Sequence, residues 1–478
     1  MIRTGTLKNF VSLIIFIFSI TIEVNAQQNI VSKVDSVMNQ FVKLKMFSGV
    51  VLISIDNKPL YQKAFGFADY KEKTPNKLNT KFYIGATTQF LTAILTLQLV
   101  QDGKLILSDT IGKYLPGFNK NGKSKVTILD LLLNKSGFGN YAGDPLYKKL
   151  RDSLKSTSDF VSIIRKEKLK FEPGTKISYS TSGFVILAAI IEKIYGKNFK
   201  DILKEKIFSP LKMNESGFDI AISNEDGRAT GYKVLPNEDL ESNLDLNFKN
   251  GGDSGIYTTA GDLLKLDKSL ATDTILLSNE NKLKLFTKDF SNPDNQSWKD
   301  YISKETFGIE GSISGFNAVW YRFFKEGYTI IVLSNFSQPS AEDVTYLIKM
   351  ILFGRKYLPP RIPLERFVFN ECQKHGIEYF VTNYGKIFNE DHYEVKDEQQ
   401  LDNIGRELLL IGKKKWAIEI LKLNVTLFNY IPGVYNRLAD VYLQINDKKD
   451  AISNYKKALK IDTTNDHAAK MLASLGAL

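Results

Sequence analysis

The sequence predicts an α+β domain followed by a small all-α module. Runs of apolar and β-branched residues occur near both ends of residues 27–357, and helical and loop patterns fill the stretch between them. A proline-rich segment follows, and beyond it the apolar spacing is helical throughout. Because strands bury their apolar faces in a shared sheet, we expect the two ends of the first domain to meet in one sheet.

Each element of the first domain is predicted by a local pattern. Apolar residues at helical spacing predict a helix from Ile30 to Met46, ahead of two strands joined by the turn residues 56–59. A run that is apolar on nearly every face predicts a buried helix from Lys81 to Val100. After a mostly helical middle, two strands return and a helix closes the domain. The predicted strands and the closing helix are Gly49–Ile55, Leu60–Phe67, Phe316–Phe324, Tyr328–Asn335 and Ala341–Phe353.

The composition excludes several classes of protein. A single cysteine, Cys372, among 478 residues excludes an internal disulfide framework and a cysteine-rich metal site. All three histidines, His375, His392 and His467, follow residue 370, so the first domain cannot use a Ser-His-Asp mechanism. The net charge of +11 comes from scattered basic residues, and we expect no nucleic-acid binding. No phosphate-binding loop or metal-ligand spacing occurs, so we expect no cofactor and no metal.

Residues 1–26 have the pattern of a signal peptide. Arg3 and Lys8 precede an apolar run from Phe10 to Ile22. The segment Val24-Asn25-Ala26 then has the small residues that a signal peptidase cleavage site requires. We therefore expect an exported protein, periplasmic or extracellular, with an uncleaved anchor as the alternative. No later run is long and apolar enough for a bilayer, so we expect no membrane span after signal cleavage.

A linker and a helical module follow the first domain. The prolines within Leu358–Pro363 predict a linker over residues 358–370 and a separate module over 371–478. Within the module, aligned small and apolar residues recur with a period of 34, and the aligned pairs are Gly405 with Ala439, Ala417 with Ala451, and Leu421 with Tyr455. This period resembles that of tetratricopeptide (TPR) repeats, with an ordinary helical hairpin as the alternative.

Three segments of the first domain carry a family resemblance. They are KFYIGATTQFLTAILTLQLVQDGKLILSDTIGKYLP, FEPGTKISYSTSGFVILAAIIEKIYGK and FGIEGSISGFNAVWYRFF. In this order they resemble the motif blocks of class C serine β-lactamases and related penicillin-binding D,D-peptidases and esterases. The resemblance covers residues 30–355 and implies a β-lactamase-like fold, with an antiparallel sheet flanked by helices and an additional helical region. It also implies acyl transfer by a serine with a lysine three residues later.

The residues at the family's motif positions do not support that chemistry. Ala86 occupies the serine position and Gln89 the lysine position, so both the nucleophile and its base are missing. The Tyr-x-Asn motif reads Tyr179-Ser180-Thr181. The strand motif, Lys/His-x-Gly in relatives, reads Ile309-Glu310-Gly311, which lacks the cation. We therefore expect no catalytic residues in this chain.

The sequence favours a pseudoenzyme that acts by binding. Tyr179, Thr181 and Glu310 are the candidate ligand contacts in the old cleft, and the resemblance implies cell-wall peptide or a small ligand as the occupant. A protein partner could bind the TPR-like module. Two alternatives remain: an active hydrolase of the family with a rearranged site, and an interaction protein in which only the helical module matters.

Overall fold

The computed structural model describes residues 27–118, 122–246, 251–288, 298–337 and 341–478. The predicted signal peptide, residues 1–26, lies outside the described residues. The chain divides into two compact units: the first takes its described residues from Met1–Lys233 and Ser242–Pro360, and the second consists of Val234–Glu241 and Arg361–Leu478. Among the described residues, no helix combines the length and the apolar character that crossing a bilayer requires.

The first unit mixes strands and helices. Its strands are β1 (Gly49–Ile55), β2 (Lys58–Phe65), β3 (Phe67–Asp69), β4 (Thr74–Pro75), β5 (Phe82–Tyr83), β6 (Gly217–Phe218), β7 (Tyr232–Val234), β8 (Leu240–Ser242), β9 (Ile256–Thr258), β10 (Thr306–Ile313), β11 (Phe316–Phe323) and β12 (Tyr328–Ser334). Val234 of β7 and Leu240 and Glu241 of β8 fall in the second unit. Its helices are α1 (27–43), α2 (Thr87–Gln101), α3 (Ile111–Tyr114), α4 (Ile128–Leu132), α5 (Pro145–Leu150), α6 (Thr157–Ile164), α7 (Thr181–Tyr195), α8 (Phe199–Leu203), α9 (Ala260–Thr272), α10 (Asn279–Thr287), α11 (Trp298–Lys304) and α12 (Ala341–Leu352).

A five-stranded antiparallel sheet joins the two ends of this unit. The strand order is β10-β11-β12-β1-β2, so the first strand lies between its hairpin partner and the last strand. Along the β1–β12 pair, Gly49 is opposite Ser334 and Ile53 is opposite Ile330. The α+β prediction and the meeting of both ends in one sheet are therefore confirmed. The first hairpin turns at Asp56-Asn57, where both residues have positive φ, as a two-residue turn between twisted strands requires.

Two helices form the centre of the core. Most of α2 and α7 is buried, including Leu91, Ile94 and Leu95 on the first helix and Val185 and Ile190 on the second. The prediction of a helix from Lys81 was wrong at its start. Residues 82–83 form β5 and pair with β9, and the helix begins only at Thr87. The apolar run continues through both elements, so its pattern could not mark the boundary.

The second unit is helical. Its helices are α13 (Leu364–His375), α14 (Ile377–Glu390), α15 (Glu398–Leu410), α16 (Lys414–Leu427), α17 (Pro432–Gln444), α18 (Lys448–Ile461) and α19 (Asp466–Ser474). Helix α15 packs on α16 and α17 packs on α18. Gly405, Ala417, Ala439 and Ala451, the small residues of the predicted repeat, are buried in these pairs. The assignment of the pairs to the TPR class stays a prediction. Cys372 is buried in α13.

Candidate functional site

The N-terminus of α2 faces strand β10 at very short range. A Cβ added to Gly311 would lie 2.1 Å from the Ile84 carbonyl oxygen and 2.6 Å from the Thr87 hydroxyl oxygen. A Cβ added to Gly85, where φ is +49°, would lie 2.5 Å from the Ser312 carbonyl oxygen. Only glycine fits such contacts, and these two glycines let the strand approach the helix end. The approach brings the two sequence motifs of α2 and β10 together.

Ala86 immediately precedes α2, and its backbone carbonyl accepts a hydrogen bond of 3.0 Å from the backbone N–H of Gln89. Its methyl side chain lines a cavity and offers no group that can be acylated. The adjacent threonines do not replace it. Neither lines that cavity: the Thr88 hydroxyl accepts a 3.3 Å bond from the Ile256 amide, and the Thr87 hydroxyl is buried beside Gly311.

Gln89 and Tyr179 are joined across the cavity. The Gln89 side-chain amide donates to the Tyr179 hydroxyl at 2.7 Å. Tyr179 is 55% exposed as a whole residue, but loss of water around its hydroxyl raises its pKa, and the nearby negative charge of Asp253 raises it further, while the bond from Gln89 lowers it. The phenol is therefore protonated at neutral pH. It can donate its own proton in a hydrogen bond to a ligand, but it is a poor general base.

The remaining predicted positions lie at different distances from the cavity. Ile309 and Glu310 line it, and one Glu310 carboxylate oxygen accepts a bond of 2.9 Å from the Tyr321 hydroxyl. Thr181 does not line it, because its hydroxyl donates to the Asn140 side-chain oxygen at 2.9 Å, at the start of α7. The structure therefore brings Ala86, Gln89, Tyr179, Ile309 and Glu310 together and leaves Thr181 beside the group.

The cavity has a volume of about 430 Å³. Most of the residues that line it are apolar and six are polar or charged, and sequence reasoning missed most of them. The lining residues are Ala86, Gln89, Phe90, Ala93, Leu97, Leu132, Asn134, Tyr179, Phe184, Leu285, Phe286, Lys288, Thr306, Phe307, Gly308, Ile309 and Glu310. Asn134 follows the short helix α4 and lies outside the three segments that carry the family resemblance, so those segments did not single it out. The aromatic residues of α10 and β10 carry no local signal that marks them as lining residues.

A buried carboxyl lies behind the site. Asp253 is 4% exposed and accepts a hydrogen bond of 2.9 Å from the Tyr141 hydroxyl. Burial raises the pKa of Asp253 to about 6, although Tyr141 and the Gly251 amide partly offset this effect. The described residues contain no group of three or more His, Cys, Asp or Glu side chains arranged to hold a metal ion.

Strand β10 of the antiparallel sheet closes over the N-terminus of the buried helix α2, and the loop that carries Tyr179 lies opposite. This arrangement defines the serine β-lactamase and D,D-peptidase class of fold. The Beta-lactamase family model matches residues 34–352, and the chain belongs to this family.

Individual relatives support the same assignment. Penicillin-binding protein 4* of Bacillus subtilis is 30% identical over 345 residues, which cover 67% of this chain and 75% of that protein. Teichoic acid D-alanine hydrolase of Staphylococcus aureus is 24% identical over 324 residues, 67% of this chain and 78% of that protein. Among solved structures, a penicillin-binding protein from Bacillus halodurans matches with a TM-score of 0.58 and 27% identity, over 66% of this chain and 98% of that one. A class C β-lactamase shares the fold with a TM-score of 0.55 and 18% identity, over 69% of this chain and 97% of that one.

Proposed function

We propose that this chain is a non-hydrolytic member of the β-lactamase family, which binds a ligand in the cleft without forming an acyl-enzyme. The observation that carries the proposal is the pair Ala86 and Gln89. A methyl group stands where acylation requires a hydroxyl, and a neutral amide, already bonded to Tyr179, stands where the base is required. The protonated Tyr179 hydroxyl then serves as a polar contact for the ligand.

The relatives indicate the ligand's origin. Their names refer to penicillin binding and to the D-alanine of teichoic acid. We therefore propose a cell-wall component, peptide or otherwise, as the occupant of the cleft. Ile309 leaves the strand motif without a cation, so a carboxylate that binds there lacks its usual partner. The proposal includes export, because residues 1–26 have the pattern of a signal peptide.

Covalent labelling tests this proposal. The mature protein is incubated with a fluorescent penicillin and with nitrocefin, and its intact mass is measured, with an active family member as positive control. We expect no adduct and no hydrolysis above the buffer rate. A covalent adduct that maps to any residue of 27–357, or turnover of nitrocefin, would favour the active-hydrolase alternative and overturn the proposal.

The same assay applied to Ala86→Ser with Gln89→Lys measures how much else has changed. We expect this double variant to remain far below the rate of the active control, because Thr181 and Ile309 still leave the substrate without an amide and a cation. Each missing stabilising donor costs about 10²–10³ in rate. A rate near that of the active control would show that the cleft is intact apart from two side chains.

A protein partner for the helical unit is a separate proposal. Large side chains are exposed on its surface at Tyr379, Leu410 and Tyr430. Removal of residues 361–478 should abolish binding of such a partner and leave ligand binding in the cleft unchanged.

A further inference from the structure

One face of α2 forms an apolar stripe along the cavity. Ala86, Phe90, Ala93 and Leu97 follow each other at intervals of four, three and four residues, and all of them line the cavity. This spacing keeps the four side chains on one helix face. Gln89 lines the cavity from the same face and is the polar member, with its side-chain amide bonded to Tyr179. At 1.5 Å per residue the stripe is about 16 Å long. The cavity is therefore elongated along the helix.

An aromatic wall, which Phe90 of the stripe helps to form, borders the cavity. The ring centroids of Phe90 and Phe307 are 4.9 Å apart, and those of Phe286 and Phe307 are 4.7 Å apart. Trp320 closes the cluster behind Phe90, at 5.6 Å. Phe90 and Phe307 are each only 9% exposed, so packing fixes the rings that line the cavity.

The polar groups of the cavity add little net charge. Lys288 and Glu310 are the charged side chains of its lining, with opposite signs, and Glu310 accepts a hydrogen bond from Tyr321. At the two positions where the family places a serine and a cation, this chain has Ala86 and Ile309. Both changes replace a polar group with apolar surface, and both face the same cavity. These two departures from the family motif favour an apolar ligand, whereas Gln89 and Thr181 keep a polar side chain at their positions.

We infer that the cleft binds an alkyl chain, the tail of an acylated amphiphile, along the α2 stripe, with the polar end of the ligand at Tyr179. This inference rests on the proposed function and names the ligand chemistry. A linear chain suits a narrow stripe of small and apolar side chains against a fixed aromatic wall. The stabilisation comes from removing methylene groups from water, and so it grows with chain length.

A chain-length series tests the inference. Calorimetric titration of the mature full-length chain with n-alkanols from hexanol to decanol should show the affinity rising about fourfold per methylene, equivalent to about 0.8 kcal/mol, until the stripe is filled. The matching n-alkanoates distinguish the source of the tail: tighter binding of alkanols indicates a neutral amphiphile, and tighter binding of alkanoates indicates a free fatty acid. Both results support an alkyl site. An affinity that is independent of chain length, or no binding at all, overturns it.

A cavity-filling variant locates the site. Ala93→Trp places a large ring in the middle of the stripe and should lower the affinity for decanol at least tenfold. Ala221→Trp, at an exposed alanine outside the lining, should leave the affinity unchanged. Thermal melting checks that both variants fold. If a folded Ala93→Trp binds decanol like the wild type, the inference is wrong; if this variant does not fold, the wild-type chain-length series still decides.

This experiment is independent of the acylation assay. A penicillin adduct would overturn the proposed function, whatever the alkanol result. A protein that forms no adduct and shows no chain-length dependence would overturn only the present inference.

Discussion

Gln89 and Tyr179 show how single residues can stabilise the cleft when the catalytic serine and lysine are missing. Gln89 is only 7% exposed, and its amide donates to the Tyr179 hydroxyl. A lysine at this nearly buried position would bring in a charge that needs compensating partners, whereas a neutral amide needs only hydrogen bonds. The change to glutamine therefore removes the base and also lowers the electrostatic cost of burying a side chain at this point.

Asp253 should make the stability of the protein depend on pH. An unfolded aspartate ionises near pH 4, whereas burial raises the pKa of Asp253 to about 6. Between these values the folded state binds more protons than the unfolded state, so the free energy of unfolding falls as the pH rises from about 4 to about 6. The loss should amount to about 3 kcal/mol. Asp253→Asn cannot ionise and can still accept the Tyr141 hydroxyl, so it should lack this loss.

Denaturant unfolding of the wild type and of Asp253→Asn at pH 4 and pH 7 measures this effect. The difference between the two proteins cancels the contributions of groups they share. We expect the wild type to lose stability relative to the variant between the two pH values. A difference that stays constant would mean that Asp253 ionises in the folded protein as easily as in the unfolded chain.

At the scale of elements, the local signals and the meeting of the two chain ends in one sheet were predictable, whereas the pairing of short strands from distant parts of the chain was not. The β1–β2 hairpin could be predicted because its turn is encoded beside the strands it joins. The predicted turn, residues 56–59, is shorter in the structure, where Asp56-Asn57 form the turn and β2 begins at Lys58. The start of α2 could not be predicted, because Phe82 is held in a strand by Thr258, which is far along the chain. For the same reason, the candidate site could be predicted only in part. The motif positions Ala86 and Ile309 could be aligned from the sequence, whereas the aromatic wall needs the packing of α10 on α2 and of α2 on β10.

Two glycines in the helical unit give opposite predictions for the same substitution. A Cβ added to Gly405, in α15, would lie 2.8 Å from Cγ of Leu421, in α16. Gly405→Ala should therefore destabilise the unit by about 1–2 kcal/mol, because overpacking outweighs the better helix propensity of alanine. Gly385, in α14, has open space at the corresponding position, and Gly385→Ala should stabilise it by up to about 1 kcal/mol.

Melting temperatures of the two variants and the wild type test this pair. Gly405→Ala should melt below the wild type and Gly385→Ala at or above it. If both variants shift in the same direction, the close contact between α15 and α16 does not limit stability, and helix propensity alone accounts for the result.

At the scale of the whole molecule, each unit has its own hydrophobic core. The core of the first unit includes Leu95, Ile190 and Leu333, drawn from widely separated parts of the chain. The helical unit has two adjoining clusters, one around Phe380 and Leu408 and one around Leu438, Ala451 and Tyr455. We therefore expect each unit to fold without the other, since a domain that buries its own apolar surface can fold alone.

The last prediction is that residues 27–360 fold without the rest of the chain. The central sheet needs β1 and β12 at its middle, and both lie within this range. Nothing in that sheet is contributed by residues after Pro360, and Pro359 and Pro360 disfavour a helix that continues across the boundary. We expect a soluble protein with one cooperative transition by scanning calorimetry, and alkanol affinities equal to those of the full-length chain. If this shorter chain only aggregates while the full-length protein is soluble, the helical unit completes the first core and the two units form one cooperative domain.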